Sequence, residues 1–323
     1  MAAARDLRES AERIELGIIV MQTLKTRTVV WHHFFRPSAS DIKWLGQTFN
    51  FHGLVLDELS RPTARPRVDN FGQYLYMVLH FPIFEEQERK THPREVDFIL
   101  TKKELITVAY EPVSPLEDFF KKCSIEKSCE DLYASKTPAH LLFYVLQCLY
   151  GFALRELDHI QENINRIEEE IFSGREREVV EELSIVRRDI IDFRRAIKPQ
   201  LMTLESLFEH GAAMFGSALK PFLAGLVGEF TKVWDLLENN KEALDALYDN
   251  NATLLEVKQN DIMKVLTIMA FTTFPLVLFA QLFGMNTMAT PIVGSPNDFW
   301  LIIGIMVAAT VGMFAFFKRK KWL

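Results

Sequence analysis

The strongest constraint on this chain is a long stretch without charge near its C-terminal end. No Asp, Glu, Lys, Arg or His occurs between Lys264 and Asp298. About 20 apolar residues in a helix cross the hydrocarbon core of a bilayer. The sequence therefore predicts a first membrane span over residues 265–285 and, after a loop over residues 284–298, a second span over residues 299–317.

Basic residues flank the predicted spans on one side only. Lys258 and Lys264 precede the first span, a basic tail (residues 318–323) follows the second, and the loop has neither Lys nor Arg. Lys and Arg are enriched on the cytoplasmic side of membrane proteins. This pattern predicts a multi-pass protein of the cell (inner) membrane with both termini in the cytoplasm and the loop outside.

The remainder of the chain is acidic. Of 37 basic and 43 acidic residues, four basic and one acidic lie beyond residue 264, so residues 1–264 carry a net charge of −9. This charge disfavours nucleic acid as a partner and is compatible with cations, although an ordinary soluble surface explains it equally well. No nucleophile elbow, phosphate loop or HExxH motif occurs, so an enzyme is not indicated.

The pattern before the first span indicates three segments: a mixed α/β domain over residues 1–136, a long helical hairpin over residues 137–215, and the cytoplasmic part of a stalk helix over residues 216–264. The stalk helix has no break before Gly284, so it continues into the first span. The β-rich runs are Ile14–Met21, Thr28–Trp31, Tyr74–Phe81, Glu95–Leu100 and Leu105–Tyr110, and helical spacing marks Asp41–Phe49 and Leu54–Leu59.

Prolines and turn residues punctuate these segments. Pro82, Pro93 and Pro115 are expected in loops. Thr137 is a predicted N-cap for a helix that ends at Ser173-Gly174. A second helix, from Arg175 to about His210, should be kinked at Pro199.

One face of the stalk helix alternates small, polar and apolar side chains. If this face points inward in an assembly, several copies enclose a narrow tube, with acids at its cytoplasmic end and amides at its outer end. A plain coiled-coil seam has the same period. The polar members favour the tube, because lone polar groups are costly against lipid. The face comprises Asp249, Glu256, Asn260, Met263, Thr267, Ala270, Phe274, Val277 and Gln281.

Several motifs and longer stretches match a known family of membrane proteins. They are Asn260–Thr267 (NDIMKVLT), Phe274-Pro275, Gly284-Met285-Asn286 (GMN), the closing Lys318–Trp322 (KRKKW), Phe51–Asp57, Arg67–Tyr76 and Arg187–Gln200. The chain resembles, over nearly its whole length, the CorA family of divalent metal-ion (magnesium/cobalt) transporters. A bare GMN is a weak signal, but GMN between two C-terminal spans, with this lead-in and basic tail, is specific.

The resemblance implies an α+β membrane protein that assembles as a funnel-shaped homopentamer. Its cytoplasmic domain would be α/β/α, its first spans would line the pore, and its second spans would form an outer ring. Gly284, Met285 and Asn286 would form the selectivity filter, with Asn286 contacting the metal ion through water. Leu266 joins the pore-lining positions by the same match.

Two further features follow from the resemblance. A basic ring would surround the stalk near the membrane, and cytoplasmic Mg²⁺ bound by carboxylates between subunits would gate the pore. No motif identifies those carboxylates. The basic ring comprises Lys318, Arg319, Lys320 and Lys321.

The implied activity is channel-like transport of hydrated divalent cations, Mg²⁺ and also Co²⁺ or Ni²⁺. Mg²⁺ dehydrates reluctantly. A pore without charged groups cannot offset the free energy of removing the water ligands, so amide oxygens would hold the hydrated ion. Met263, Leu266 and Phe274 would form an apolar constriction. No His or Cys, the ligands expected for Zn²⁺, lies in the path.

Some positions depart from the family pattern and leave the ion open. Phe283 replaces a Tyr, the outer loop lacks the usual glutamate, and Asp298 is its only carboxylate. A Zn²⁺ transporter of ZntB type, with or without proton coupling, is therefore the alternative. A third hypothesis, from another class, is a membrane-tethered cytoplasmic sensor or scaffold. Further departures are Phe274 for Met, Val277 for Thr and Gln281 for a small residue.

Overall fold

The computed structural model describes residues 21–63, 65–85, 88–128, 133, 136–285, 292–294, 296–320 and 322. The chain forms two compact units, the first ending at Leu247 and the second comprising Tyr248–Leu323. The predicted run Ile14–Met21 lies outside the described residues except for Met21, which begins the first strand.

The first unit is built on a mixed sheet with the strand order β1-β2-β6-β5-β4-β3. β2 and β6 are parallel, whereas the other neighbours are antiparallel. The strands are β1 (Met21–Lys25), β2 (Val30–Phe35), β3 (Arg67–Asn70), β4 (Tyr74–Glu85), β5 (Lys90–Thr101) and β6 (Glu104–Ala109).

Eight α-helices occur in the described residues, and two of them, Val180–Ile197 and Gln200–Phe215, stand where the sequence predicts one. The helices are α1 (Ala39–Phe49), α2 (Gly53–Glu58), α3 (Ser114–Ile125), α4 (Pro138–Phe172), α5 (Val180–Ile197), α6 (Gln200–Phe215), α7 (Lys220–Gly284) and α8 (Asp298–Arg319).

Helices pack on both faces of the sheet. On one face, Leu45 of α1 and Val55 of α2 join a core with Tyr76 and other strand residues. On the other face, Trp31 packs against Phe120 of α3 with ring centroids 4.7 Å apart. Successive strand residues face opposite sides of the sheet. Because helices cover both sides, the residues of both faces are buried, and the central strands are continuous apolar runs in the sequence.

Two prolines expected in loops lie within strands instead. Pro82 of β4 and Pro93 of β5 are directly opposite each other. Two residues without N–H groups can only form a pair that exchanges no hydrogen bonds. β3 pairs no further than Val78 and β6 no further than Val96, so neither proline removes a bond to an outer strand.

The helical predictions need two corrections. Pro115 was expected in a loop, but it lies in the first turn of α3, where a missing N–H is harmless. The predicted kinked helix after Gly174 begins only at Val180 and is two helices, since α5 ends at Ile197 and α6 begins after Pro199. The cap at Thr137 is confirmed: its side chain accepts a hydrogen bond from His140 N–H.

The predicted long helix is confirmed as α7, which continues without interruption through Pro275. Two helical segments, Ser217–Gly284 and Asp298–Arg319, are long and apolar enough to cross a membrane. In their most apolar stretches only 11% and 0% of the residues are buried, unlike the mostly buried core helix of a soluble protein. A sheet-containing N-terminal domain, a long helix and C-terminal apolar helices thus agree with prediction.

Candidate ion pathway along the first apolar helix

The predicted pore-lining residues all lie on α7, and most are exposed in the single chain. Leu266 is 58% exposed, Phe274 72% and Val277 50%, although each is large and apolar. Thr267 and Ala270 are half-buried. An apolar helix face that its own chain leaves uncovered needs lipid or another protein surface against it.

The opposite side of α7 is only partly covered. Ile268 is 7% exposed, and Thr272 and Pro275 are half-buried. At about 100° per residue, these residues point away from Met263 and Phe274. Val265 and Phe279 lie on the same side and are 52% and 40% exposed, so the apolar segment is exposed on both sides in the single chain.

A groove of about 510 Å³ lies between α7 and α8. Thr267 and Phe271 line it from α7, and Gly312 and Phe316 are among the lining residues of α8. Thr267 thus borders the second apolar helix as well as the predicted inward face, which makes it a marginal member of that face.

The hydroxyl groups of the apolar segment are satisfied within α7 itself. Thr267 Oγ1 donates to Met263 O at 2.7 Å, and Thr272 Oγ1 donates to Ile268 O at 2.7 Å. A threonine bonded in this way meets little penalty against lipid. The Thr267 hydroxyl therefore does not indicate a polar face. The polar side chains that favour a tube are the amides of Asn260 and Gln281, both exposed.

The acidic end of the line lies at the start of the second unit. Asp249 and Glu256 are exposed. Asn260 lines a hollow of about 440 Å³ together with Lys264 and Trp322. The Lys264 ammonium is 2.8 Å from Asp261, so a cation and carboxylates alternate around the last turns before the charge-free stretch.

The GMN motif straddles the boundary of the described residues. Gly284 is the last residue of α7, and Met285 follows it with 55% exposure. Asn286, the predicted water-mediated metal contact, lies outside the described residues. Gly284 is helical and has no positive φ.

The end of the loop is organised by its single carboxylate. Asp298 accepts hydrogen bonds from Gly294 N–H at 3.0 Å and Phe299 N–H at 2.7 Å. Gly294 has φ +106°, a conformation that suits glycine. Asp298 therefore serves as a structural residue at the start of α8.

The predicted basic ring lies at the other end of α8. Lys318 and Arg319 occupy its last turn and Lys320 its C-cap, where cations complement the helix dipole. Lys321 lies outside the described residues. Trp322 stacks on Phe317 with ring centroids 5.9 Å apart.

Sequence reasoning missed a buried acidic network in the first unit. Tyr110 donates to Asp97 at 2.8 Å, Tyr76 donates to the same oxygen at 3.2 Å, and Thr63 N–H donates to the neighbouring Glu95 at 2.6 Å. Burial, and then the Glu95 carboxylate, raises the pKa of Asp97 well above its usual value. Asp97 and Glu95 alternate with apolar residues in β5. In the sequence, a carboxylate within a predicted strand was the signal for this network, and it does not name the tyrosines that bind it.

These features define a class: a chain with a sheet domain, one very long helix and two C-terminal helices able to span a membrane. The chain belongs to the family of CorA-like Mg²⁺ transporter proteins, whose model matches residues 26–319. It is thus a divalent-cation transporter of the CorA family. The family resemblance noted from the motifs is confirmed.

Three known proteins illustrate the similarity. The cobalt/magnesium transport protein CorA of Thermotoga maritima is 25% identical over 288 residues, covering 87% of this chain and 80% of that protein. The complete structure of the CorA magnesium transporter from Methanocaldococcus jannaschii has a TM-score of 0.81 at 19% identity, covering 94% of each chain. The cytoplasmic domain of ZntB from Vibrio parahaemolyticus has a TM-score of 0.59 at 15% identity, covering 72% of this chain and 89% of that chain.

Proposed function

We propose that the chain assembles as a homopentamer in which five copies of α7 surround a pore for hydrated Mg²⁺, and also Co²⁺ or Ni²⁺. The observation that carries this proposal is the line of largely exposed polar and apolar side chains along α7. It holds two exposed amides, Asn260 and Gln281, in a helix whose threonine hydroxyls bond to its own backbone.

A ring of identical helices gives this face a role. The amides would then face water and the ion rather than lipid, which removes their cost. Amide oxygens can accept hydrogen bonds from the first-shell water of Mg²⁺, an ion that usually keeps several of its waters. Leu266 and Phe274, exposed in one chain, would pack around the axis as a constriction that excludes water when the pore is closed.

The remaining predictions complete the proposal. Gly284, Met285 and Asn286 would form the filter at the outer mouth, and the basic tail would lie on the cytoplasmic side with both termini. Cytoplasmic divalent cation would regulate opening. Residues 216–264 would serve as stalk, 265–285 and 299–317 as spans, and 284–298 as the outer loop.

Proteoliposome flux tests the proposal. We expect inward Mg²⁺ and Co²⁺ flux from the wild type and at least about a hundredfold loss in Asn286→Ala, in proportion to a binding defect of roughly 3 kcal/mol. Asn297→Ala is the matched control, because it removes an amide from the same loop outside the motif.

Three other outcomes would contradict parts of the proposal. Equal flux from Asn286→Ala and wild type contradicts the filter assignment and favours a tethered sensor or scaffold. Zn²⁺ flux that requires a pH gradient, without Mg²⁺ flux, selects the ZntB-type alternative. A non-pentameric mass for the detergent-solubilised chain contradicts the assembly.

A further inference from the structure

The end of the β4–β5 hairpin brings a histidine and two glutamates together. In the part of the chain that the structure describes, Glu85, Glu88 and His92 form the one group of three potential ligands whose donor atoms all lie within 4.8 Å of one another. His92 Nε2 is 2.9 Å from Glu88 Oε2 and 3.7 Å from Glu85 Oε2. One imidazole nitrogen and two carboxylate oxygens therefore surround a common point.

Two of the three ligands are held by the paired strands. Glu85 is opposite Lys90, and His92 is opposite Ile83, so Glu85 and His92 are diagonal neighbours in the antiparallel ladder, close enough for long side chains to meet. The hairpin register thus positions them independently of the turn.

Arg94 orients one carboxylate from outside the group. Its Nη2 donates to Glu85 Oε1 at 2.8 Å, and its Nη1 donates to Pro112 O at 2.8 Å. The Arg94 side chain is only 10% exposed. Glu85 is therefore fixed through one oxygen while the other faces His92, the kind of outer support that orients metal ligands.

The group remains open to an ion from solvent, unlike the buried acids nearby. Asp97 Oδ2 and Glu95 Oε2 already accept hydrogen bonds from Tyr110 and Thr63, and both residues are buried. The side chains of Glu85 and Glu88 are 41% and 60% exposed.

We propose that Glu85, Glu88 and His92 bind a divalent transition-metal ion of the Zn²⁺, Co²⁺ and Ni²⁺ type. Imidazole nitrogen suits these ions, whereas Mg²⁺ prefers an all-oxygen, octahedral shell that retains water. Three protein ligands leave at least one position for water.

The site uses none of the residues of the proposed pathway, and it does not depend on transport. It would distinguish transition-metal ions from Mg²⁺ in a protein whose pore, as proposed, passes both.

Co²⁺ is the probe for the test, because its d–d absorption reports bound ligands. The full chain in detergent is titrated with Co²⁺, and we expect a visible band that saturates at one ion per chain. His92→Ala should lower the Co²⁺ affinity at least about tenfold. Glu88→Gln, which preserves the size of the side chain, should also lower it. Equimolar Mg²⁺ should not displace the ion.

Controls separate this site from other sources of the band. His159→Ala removes an exposed histidine that lies 3.5 Å from a single glutamate, Glu162, and should bind as the wild type does. Asn286→Ala should also leave the band unchanged. The proposal is overturned if His92→Ala, with an unaltered melting temperature in metal-free buffer, retains the band, if either control loses it, or if Mg²⁺ displaces Co²⁺.

Discussion

Large aromatic side chains are buried in the first unit of the chain and exposed in the second. In the first unit, Trp31 and Phe98 are completely buried, whereas in the second unit Phe274 is 72% and Trp300 73% exposed. Burial contributes roughly 25 cal/mol per Å² of apolar surface. The first unit therefore gains its stability from its own core, whereas the apolar surface of the second needs lipid or another protein surface against it.

The largest expected effect follows from one aromatic in each unit. Trp31→Ala should destabilise the first unit by about 3–5 kcal/mol, because it empties the contact with Phe120 and removes the Nε1–H that donates to Thr107 at 3.0 Å. Phe274→Ala should change that unfolding by less than about 0.5 kcal/mol. Denaturant unfolding of the full chain in detergent, followed by circular dichroism, measures both.

Equal losses from Trp31→Ala and Phe274→Ala would contradict the division. They would show that the exposed face of α7 contributes to folding of the sheet unit.

Acid should weaken the first unit next most strongly. Burial lowers the pKa of His33 to about 4, from roughly 6.5 in the unfolded chain. Because the unfolded state binds the proton more readily, this contribution is fully present above about pH 6.5 and is lost as the pH falls towards 4, by up to about 3 kcal/mol. Unfolding curves over this range should show the decline, and His33→Gln should flatten it.

His52→Gln is the control for the acid effect, since His52 is exposed. A decline as steep in His33→Gln as in the wild type would assign the acid sensitivity to other groups.

A smaller effect is expected at the start of α4. Thr137→Ala removes the side chain that accepts from His140 N–H and should cost about 1 kcal/mol. Thr231→Ala is the matched control, because Thr231 lies exposed inside α7 and its hydroxyl only donates to Val227 O. Melting temperatures of the two variants compare cap with helix interior, and equal shifts would remove the role assigned to the cap.

The smallest effect separates the two kinds of polar residue in the second unit. Thr267→Val should change Mg²⁺ flux by less than about twofold, because its hydroxyl already donates to Met263 O. A twofold change corresponds to about 0.4 kcal/mol of free energy of ion binding. Gln281→Leu, in contrast, removes an exposed amide and should reduce flux more. Flux that falls more in Thr267→Val than in Gln281→Leu would reverse the assignment of the polar face.

Local rules accounted for the elements whose signals are local. Thr137-Pro138 marked the start of α4, and the absence of charge after Lys264 marked the first apolar segment, because capping and membrane insertion depend on nearby residues. Pro82 and Pro93 misled the same reasoning, since their place in a strand depends on a partner that only the sheet provides.

The candidate site divides in the same manner. The helical period predicted which residues share a face of α7, and their role in lining a pore stays a prediction. It did not predict that the Thr267 hydroxyl bonds to its own helix or that Gly284 is helical, since both depend on backbone geometry. The convergence of Glu85, Glu88 and His92 needed the register of β4 on β5.

The sequence by itself determined the family, the two apolar helices and the long helix that leads into them, because motif spacing, hydropathy and helical period are properties of adjacent residues. Only the tertiary structure decided which acids are buried and which histidine meets two glutamates. Those outcomes depend on strand pairing and helix packing between residues far apart in the chain, where no local pattern records the partner.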